Sequence, residues 1–208
     1  MATPLGNLRD LTLRARDVLS TADVIAAEDT RTSATLLRHY GITTRTLSLH
    51  SHNEAQRVET IAALLRGGSS VALISDAGTP AISDPGARLV RAMHDAGVTV
   101  IPIPGPSALV AAVSAAGLDA EAFLFAGFLP QQGKARRERL QALAPLPVAL
   151  VFYEAPHRVR AAIDDLVAAL GPERILIVAR ELTKTFETIA RMPLAQAPAW
   201  VAADANRE

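Results

Sequence analysis

Short apolar runs trade places with amphipathic helical stretches along this chain, and that alternation dictates a parallel α/β sheet. Residues 10–20 read as a helix capped by Asp10, followed by the strand-like DVIAAE. A helix over 30–40, stopped by Gly41, leads into TLSLH. Residues 53–66 set Val58, Ile61, Leu64 and Leu65 on one helical face, and Gly67-Gly68 end it. VALIS at 71–75 is a continuous apolar run, as expected of a parallel strand covered on both faces. A helix over 86–96 and the strand VTVIPI complete the first half. The pattern changes near 117–130, where Gly117, Asp119, Glu121 and Gly127 punctuate a short strand, AFLFA. A charged helix from Lys134 to about Leu143 follows, then PVALVFY, a helix over 157–170, RILIVA and a last helix over 193–205. The chain is therefore expected to form two α/β domains, 1–117 and 118–208.

Composition removes several function classes. Half of the 208 residues are hydrophobic and only 20% are charged, which excludes a disordered chain. Lysine plus arginine equals aspartate plus glutamate at 21 each, so any contact with RNA must be local and shaped rather than driven by bulk charge. The absence of cysteine excludes disulfides, thiolate nucleophiles and cysteine–zinc sites, and suits a reducing compartment. Aromatic residues, at 4%, argue against a broad base-stacking platform. Residues 98–118 carry no charge, but Pro102, Pro104, Gly105 and Pro106 leave about a dozen helix-competent residues where a membrane span needs about 20. A soluble protein without a signal peptide is expected. An open parallel sheet usually begins with a strand, whereas here a loop starts at Thr3, so both ends are expected to be cut short.

Four loops follow strand ends, where open α/β sheets bind ligands. They are Thr3-Pro4-Leu5-Gly6-Asn7-Leu8, Ser75-Asp76-Ala77-Gly78-Thr79-Pro80, Pro104-Gly105-Pro106-Ser107-Ala108 and Tyr153-Glu154-Ala155-Pro156-His157-Arg158. Neither G-x-G-x-x-G nor G-x-x-x-x-G-K-[ST] is present, so the ligand lacks a pyrophosphate that needs a glycine cradle. Three polar sets sit at strand–helix junctions or after a strand: AEDTR at 27–31, HSHNE at 50–54 and RELTK at 180–184. Asp29, Thr30 and Asn53 are each explicable as helix caps, whereas Glu28, Arg31, His50 and Lys184 are not. The spacing of His50, His52 and Glu54 fits no standard zinc signature, and no metal is expected.

Read in order, TPLGNLRDLTLRA, AAEDTR, SDAGTPAISDPG, PIPGPSA, FYEAPHR and ARELTK resemble the ribosomal RNA small subunit methyltransferase I family, of the tetrapyrrole methylase superfamily. The resemblance runs over nearly the whole chain. It implies a tetrapyrrole-methylase-like α/β fold, with two domains and the cofactor in the cleft between them. It implies a bacterial, cytoplasmic, usually homodimeric enzyme that transfers a methyl group from S-adenosylmethionine to a cytidine ribose 2′-hydroxyl in the decoding centre of small-subunit ribosomal RNA. Such an enzyme meets its substrate as RNA or as the assembled 30S subunit. The resemblance places Leu5, Gly6, Asp76, Gly78, Thr79, Pro80, Ile82, Ser107 and Ala108 beside the cofactor, with Tyr153, Glu154 and Pro156 closing it from the second domain. Family members also carry a strand before TPxGN and another after the D-x-N segment, here Asp204-Ala205-Asn206, and this chain is expected to lack both.

The acceptor hydroxyl is a weak acid, so a base or a cation near it helps. Glu28 and Asp29 are the candidate bases, and Arg31 and Lys184 the candidate cations. Adjacent residues on an extended segment point to opposite sides, which favours Glu28 as base and Asp29 as cap. His50, Asn53, Arg180 and Glu181 are expected against the RNA. Lys134, Arg136, Arg137 and Arg139 form a basic run that suits either phosphates or a solvated helix face. Two rival readings stay open: methylation of a tetrapyrrole carbon, which would want a more apolar site, and a non-catalytic ribosome-assembly module.

Overall fold

Strands β1 (Val24–Ala27), β2 (Thr46–Ser48) and β3 (Val71–Ile74) pair in parallel in the order β2-β1-β3. In the computed structural model, which describes residues 1–119 and 121–204, the side chains of β1 and β3 alternate between two covered faces. Ile25, Ala27, Ala72 and Ile74 pack on one face with Ala15 and Leu19 of α1 (Leu13–Thr21) and with Leu36 and Leu37 of α2 (Thr30–His39). Ala26, Val71 and Leu73 face the other way, toward Ile61 and Ala62 of α3 (Glu54–Arg66) and Leu89 and Met93 of α4 (Ala87–Asp95). The period of two along the strands thus fixes a sheet wound on both sides.

Two local expectations are corrected. The cap of α1 is Thr12, whose hydroxyl accepts from the Ala15 amide at 3.1 Å, and not Asp10, which ends a preceding 3-10 turn (Leu8–Asp10). VTVIPI forms no strand. What bridges it to β3 is Met1–Thr3: the terminal ammonium donates to the Leu73 carbonyl at 2.8 Å and the Ala2 amide to that of Ile103 at 3.3 Å. Without a full ladder an apolar run is only an extended segment, and Ile101 is left exposed.

The structure divides into two compact units, Met1–Ala108 and Leu109–Glu208. This division falls at the start of α5 (Ala108–Ala115), whereas the sequence pattern changes after it, at 117/118. In the second unit β4 (Phe123–Phe128) and β5 (Ala149–Tyr153) are parallel, while β6 (Ile175–Arg180) and β7 (Thr188–Pro193) form an antiparallel ladder from Ile175↔Pro193 to Arg180↔Thr188. β7, TIARMP, lacks the apolar run that makes a strand legible in sequence. Helices α6 (Gly133–Leu143) and α7 (Val159–Leu170) pack through Leu140, Ala162 and Leu166. The last expected helix is a 3-10 turn (Leu194–Gln196) leading into α8 (Ala197–Ala202), and residues 205–208 lie outside the described residues.

The basic run on α6 is only partly a solvated face. Arg136 is 6% exposed, and its Nε donates to Asp165 of α7 at 2.7 Å. Arg137 reaches the other oxygen of Asp165 at 3.1 Å. Both guanidiniums are committed to holding two helices together. Among the described residues no helix is long and apolar enough to cross a membrane.

The loop after β3 returns to α4 through Gly86, at φ +126°, where an added Cβ would stand 2.8 Å from Leu73 Cδ2. Gly86→Ala is expected to destabilise the protein by about 1–3 kcal/mol, the range for a residue held in a sparsely populated backbone region. Chemical denaturation followed by circular dichroism reads that loss.

Candidate functional site

Three of the four sequence loops are stitched together in the first unit. Thr3 and Gly78 exchange backbone hydrogen bonds at 2.9 Å each, and the Thr3 hydroxyl donates to the Ser75 carbonyl at 3.0 Å. The Thr79 hydroxyl donates to the Pro106 carbonyl at 3.1 Å. Gly78 has φ +78°, and a Cβ on it would press on Leu5 at 3.3 Å, so glycine is needed for both conformation and approach. Leu5, Gly78, Thr79 and the segment leading to Ser107 and Ala108 therefore line one neighbourhood, with Gly6 exposed beside them. Pro80 and Ile82 lie on the turn that follows, in which Ala81 (φ +67°) and Ser83 (φ +64°) are left-handed without being glycine. Non-glycine residues in that region cost of order 1–3 kcal/mol each and persist where surrounding contacts impose them.

The far end of that loop, at Gly86, is held by Glu54. Although it belongs to the polar set HSHNE, its carboxylate is buried in the core. There it accepts from the amides of Gly86 at 3.1 Å and Leu89 at 3.0 Å, capping α4 from a neighbouring helix. His50 and Asn53 remain on the loop after β2, but Asn53 is occupied locally. Its side chain accepts from the His50 amide at 2.9 Å and donates to the Ser48 carbonyl at 3.3 Å. The His50 and His52 rings lie 5.9 Å apart, and Nδ1 of His50 is buried without a partner. Among the described residues no group of His, Asp and Glu side chains is arranged to hold a metal ion.

At the carboxyl ends of β1 and β3 the acidic residues meet. The Asp29 amide donates to Asp76 Oδ1 at 3.1 Å, and the Asp76 amide donates to Glu28 Oε2 at 3.3 Å. Burial pushes the Glu28 carboxyl above its ordinary pKa; the Asp76 amide opposes this, and the charges of Asp84, Asp76 and Asp29 add to the rise. Asp76 and Asp84 are raised for the same first reason, burial. Asp29 behaves in the opposite way. It caps α2, accepting from the Arg31 amide at 2.8 Å, and holds the Arg31 guanidinium at 2.8 and 3.2 Å. Those bonds pull its pKa down to about 2. Of the two adjacent acids, Glu28 thus has the elevated proton affinity, and Asp29 is a fixed anion. Arg31, with its side chain 90% exposed, reaches into solvent from that anchor.

The remaining candidates belong to the second unit. The Tyr153 hydroxyl accepts from the Leu109 amide at 3.0 Å, and Glu154 pairs with Arg158 across the turn that begins at Pro156. Lys184 contacts Glu181 at 3.2 Å in the β6–β7 turn, where Glu181 (φ +52°) and Thr183 (φ +67°) are left-handed. Arg180 ends β6. The sequence reading missed Asp84 and the inward role of Glu54. For Asp84 the available signal was its place two residues before Gly86 in a proline-flanked loop.

Residues 2–198 match the family model described as Tetrapyrrole (Corrin/Porphyrin) Methylases. The chain is 51% identical over 205 residues to a ribosomal RNA small subunit methyltransferase I of Escherichia coli O157:H7, covering 99% of this chain and 72% of that one. It is 52% identical to the protein of the same description from Xylella fastidiosa, covering 100% and 76%. Among solved structures, a cobalt precorrin-4 methyltransferase superposes with a TM-score of 0.70 at 19% identity, over 100% of this chain and 90% of the other. A uroporphyrin-III C-methyltransferase from Thermus thermophilus complexed with S-adenosyl homocysteine gives 0.62 at 20%, over 94% and 87%. At that identity the likeness shows the fold. With half of its residues shared across almost its full length, the chain belongs to the tetrapyrrole methylase family and, within it, to the ribosomal RNA small subunit methyltransferases I.

Proposed function

We propose that the protein transfers a methyl group from S-adenosylmethionine to the ribose 2′-hydroxyl of a cytidine in small-subunit ribosomal RNA. The observation that carries this reading is the identity of about half to the small-subunit methyltransferases, together with the stitched loops and carboxylates at the strand ends. The cofactor's chemistry fits that site: it has no phosphate, and its sulfonium is cationic, which suits a pocket edged by Glu28, Asp76 and Asp84. The residues proposed to hold it are Leu5, Gly6, Gly78, Thr79, Pro80, Ile82, Ser107, Ala108, Tyr153, Glu154 and Pro156. When bound, the cofactor supplies an electrophilic methyl group. Glu28 accepts the proton of the attacking hydroxyl, while Asp29 keeps Arg31 beside it. Arg31, His50, Asn53, Arg180, Glu181 and Lys184 face the RNA. Exclusion of water and alignment of the acceptor oxygen supply most of the acceleration. The enzyme acts as a homodimer in the cytoplasm, where small subunits are found.

Incubation with a radiolabelled methyl donor and either unmodified small subunits or a tetrapyrrole precursor tests the reading. Label in the RNA at a cytidine ribose is expected. Label in the tetrapyrrole alone would sink it. For the cofactor site, Asp76→Ala is expected to weaken S-adenosylmethionine binding by about 10-fold or more, the scale of a lost hydrogen bond to a charged group. Ser107→Trp is expected to block binding outright. Titration calorimetry reads both.

A further inference from the structure

The carboxyl ends of β4 and β5 carry an aromatic cluster in which Phe125 and Phe128 pack on Tyr153. On a regular strand, residues three apart point to opposite faces. Between Phe125 and Phe128 the β4–β5 register shifts by an extra residue, with Gly127 at φ +68°. The bulge reverses the parity, so both rings meet Tyr153, with centroids 4.8 and 5.7 Å away and edge-on packing. Bulges of this kind re-aim a side chain and are over-represented beside functional sites. The re-aimed ring is Phe128, which is 51% exposed. The Arg158 guanidinium lies over it at 6.0 Å, itself held by Glu154. A half-open phenyl ring backed by a guanidinium, at the end of a parallel sheet where ligands bind, has the chemistry of a base-stacking surface.

We propose that Phe128, backed by Arg158, stacks an unpaired nucleobase of the RNA substrate. This rests on the reading of the protein as an RNA methyltransferase. The openness of the ring favours RNA over the adenine of the cofactor, because sites for small molecules enclose most of the ligand surface. A base presented by a macromolecule needs one rigid face and free approach, which the bulge and Tyr153 provide. Low aromatic content excludes a broad platform, but a single ring suffices for one base.

Two variants and three readouts test it. Phe128→Leu keeps apolar bulk and removes the ring; Phe128→Trp keeps a stacking face. With unmodified small subunits as substrate, Phe128→Leu is expected to raise KM by about 10-fold, within the range of a lost base–aromatic stack, with the loss in KM rather than kcat. Phe128→Trp recovers most of it. S-adenosylmethionine affinity by calorimetry and molecular mass by light scattering stay at wild-type values. A wild-type KM for Phe128→Leu overturns the stacking role. A matching loss of cofactor affinity assigns the ring to the cofactor, and a change in mass assigns it to an interface between copies; either overturns the proposal. Absence of methyl transfer to RNA by the wild-type protein overturns the functional reading itself, and this proposal falls with it.

Discussion

Glu28→Gln is expected to slow methyl transfer by about 10² or more under saturating RNA and cofactor, the usual scale for loss of a general base. Glutamine keeps the shape and can still accept from the Asp76 amide, so cofactor affinity is expected to hold. Asp29→Asn is expected to act differently, lowering the melting temperature by weakening the cap on α2 and the Arg31 pair. The pH dependence follows from the same surroundings. A base must be ionised, and Glu28 ionises above the ordinary carboxylate range because it is partly buried and faces Asp84, Asp76 and Asp29. Single-turnover rates are therefore expected to fall on acidification at a pH above the ordinary glutamate value, and that limb disappears in Glu28→Gln. Stability moves the other way. A carboxyl whose folded pKa is raised binds its proton more tightly in the folded chain, so stability falls as pH rises through the interval above the unfolded value. Glu28→Gln is thus expected to raise the melting temperature at neutral pH while slowing the reaction. A variant with wild-type rates across this range would leave alignment alone as the source of catalysis.

That opposition between activity and stability marks where sequence reading succeeds and where it stops. The strands and helices of the first unit were legible because an apolar period of two or 3.6 is written directly into VIAA, VALI and residues 54–66. The loops were legible because glycine and proline mark turns at strand ends. The capping role of Asp29 was also legible, from the helix that starts at Thr30. Partnership was not. Nothing local distinguishes VTVIPI from a true strand, since the missing ingredient is a neighbouring ladder. Glu54 looks like any exposed acid at a helix start until its carboxylate is seen capping α4. Arg136 sits in a basic run that suits either phosphates or a solvated helix face, yet its partner is Asp165, 29 residues away. Long-range pairing decides these cases, and one sequence does not print it.

Asp165 gives the largest stability effect expected in this protein. Its two oxygens hold Arg136 at 2.7 Å and Arg137 at 3.1 Å, and Asp165 and Arg136 are both buried. Asp165→Ala leaves the Arg136 guanidinium buried with only the carbonyls of Pro130, Gln131 and Ala161 to bond, at 3.2–3.5 Å. Removing one member of a buried ion pair costs about 3–5 kcal/mol, because the remaining charge stays desolvated. Arg137→Ala removes the half-exposed partner instead and is expected to cost about 1 kcal/mol or less. Replacing both buried members, Arg136→Met with Asp165→Leu, is expected to be near neutral, since the charge goes with its counter-charge. Denaturant unfolding of the whole chain separates the three. Asp165→Ala as mild as Arg137→Ala would mean that the carbonyls alone satisfy Arg136. The consequence for function follows from chain order: α7 begins directly after the Pro156–Arg158 turn, so the α6–α7 clamp also fixes the helix onto which the turn between Glu154 and Arg158, at the end of β5, leads. Near its lowered transition temperature, Asp165→Ala is therefore expected to lose methyl transfer before it loses overall helix content.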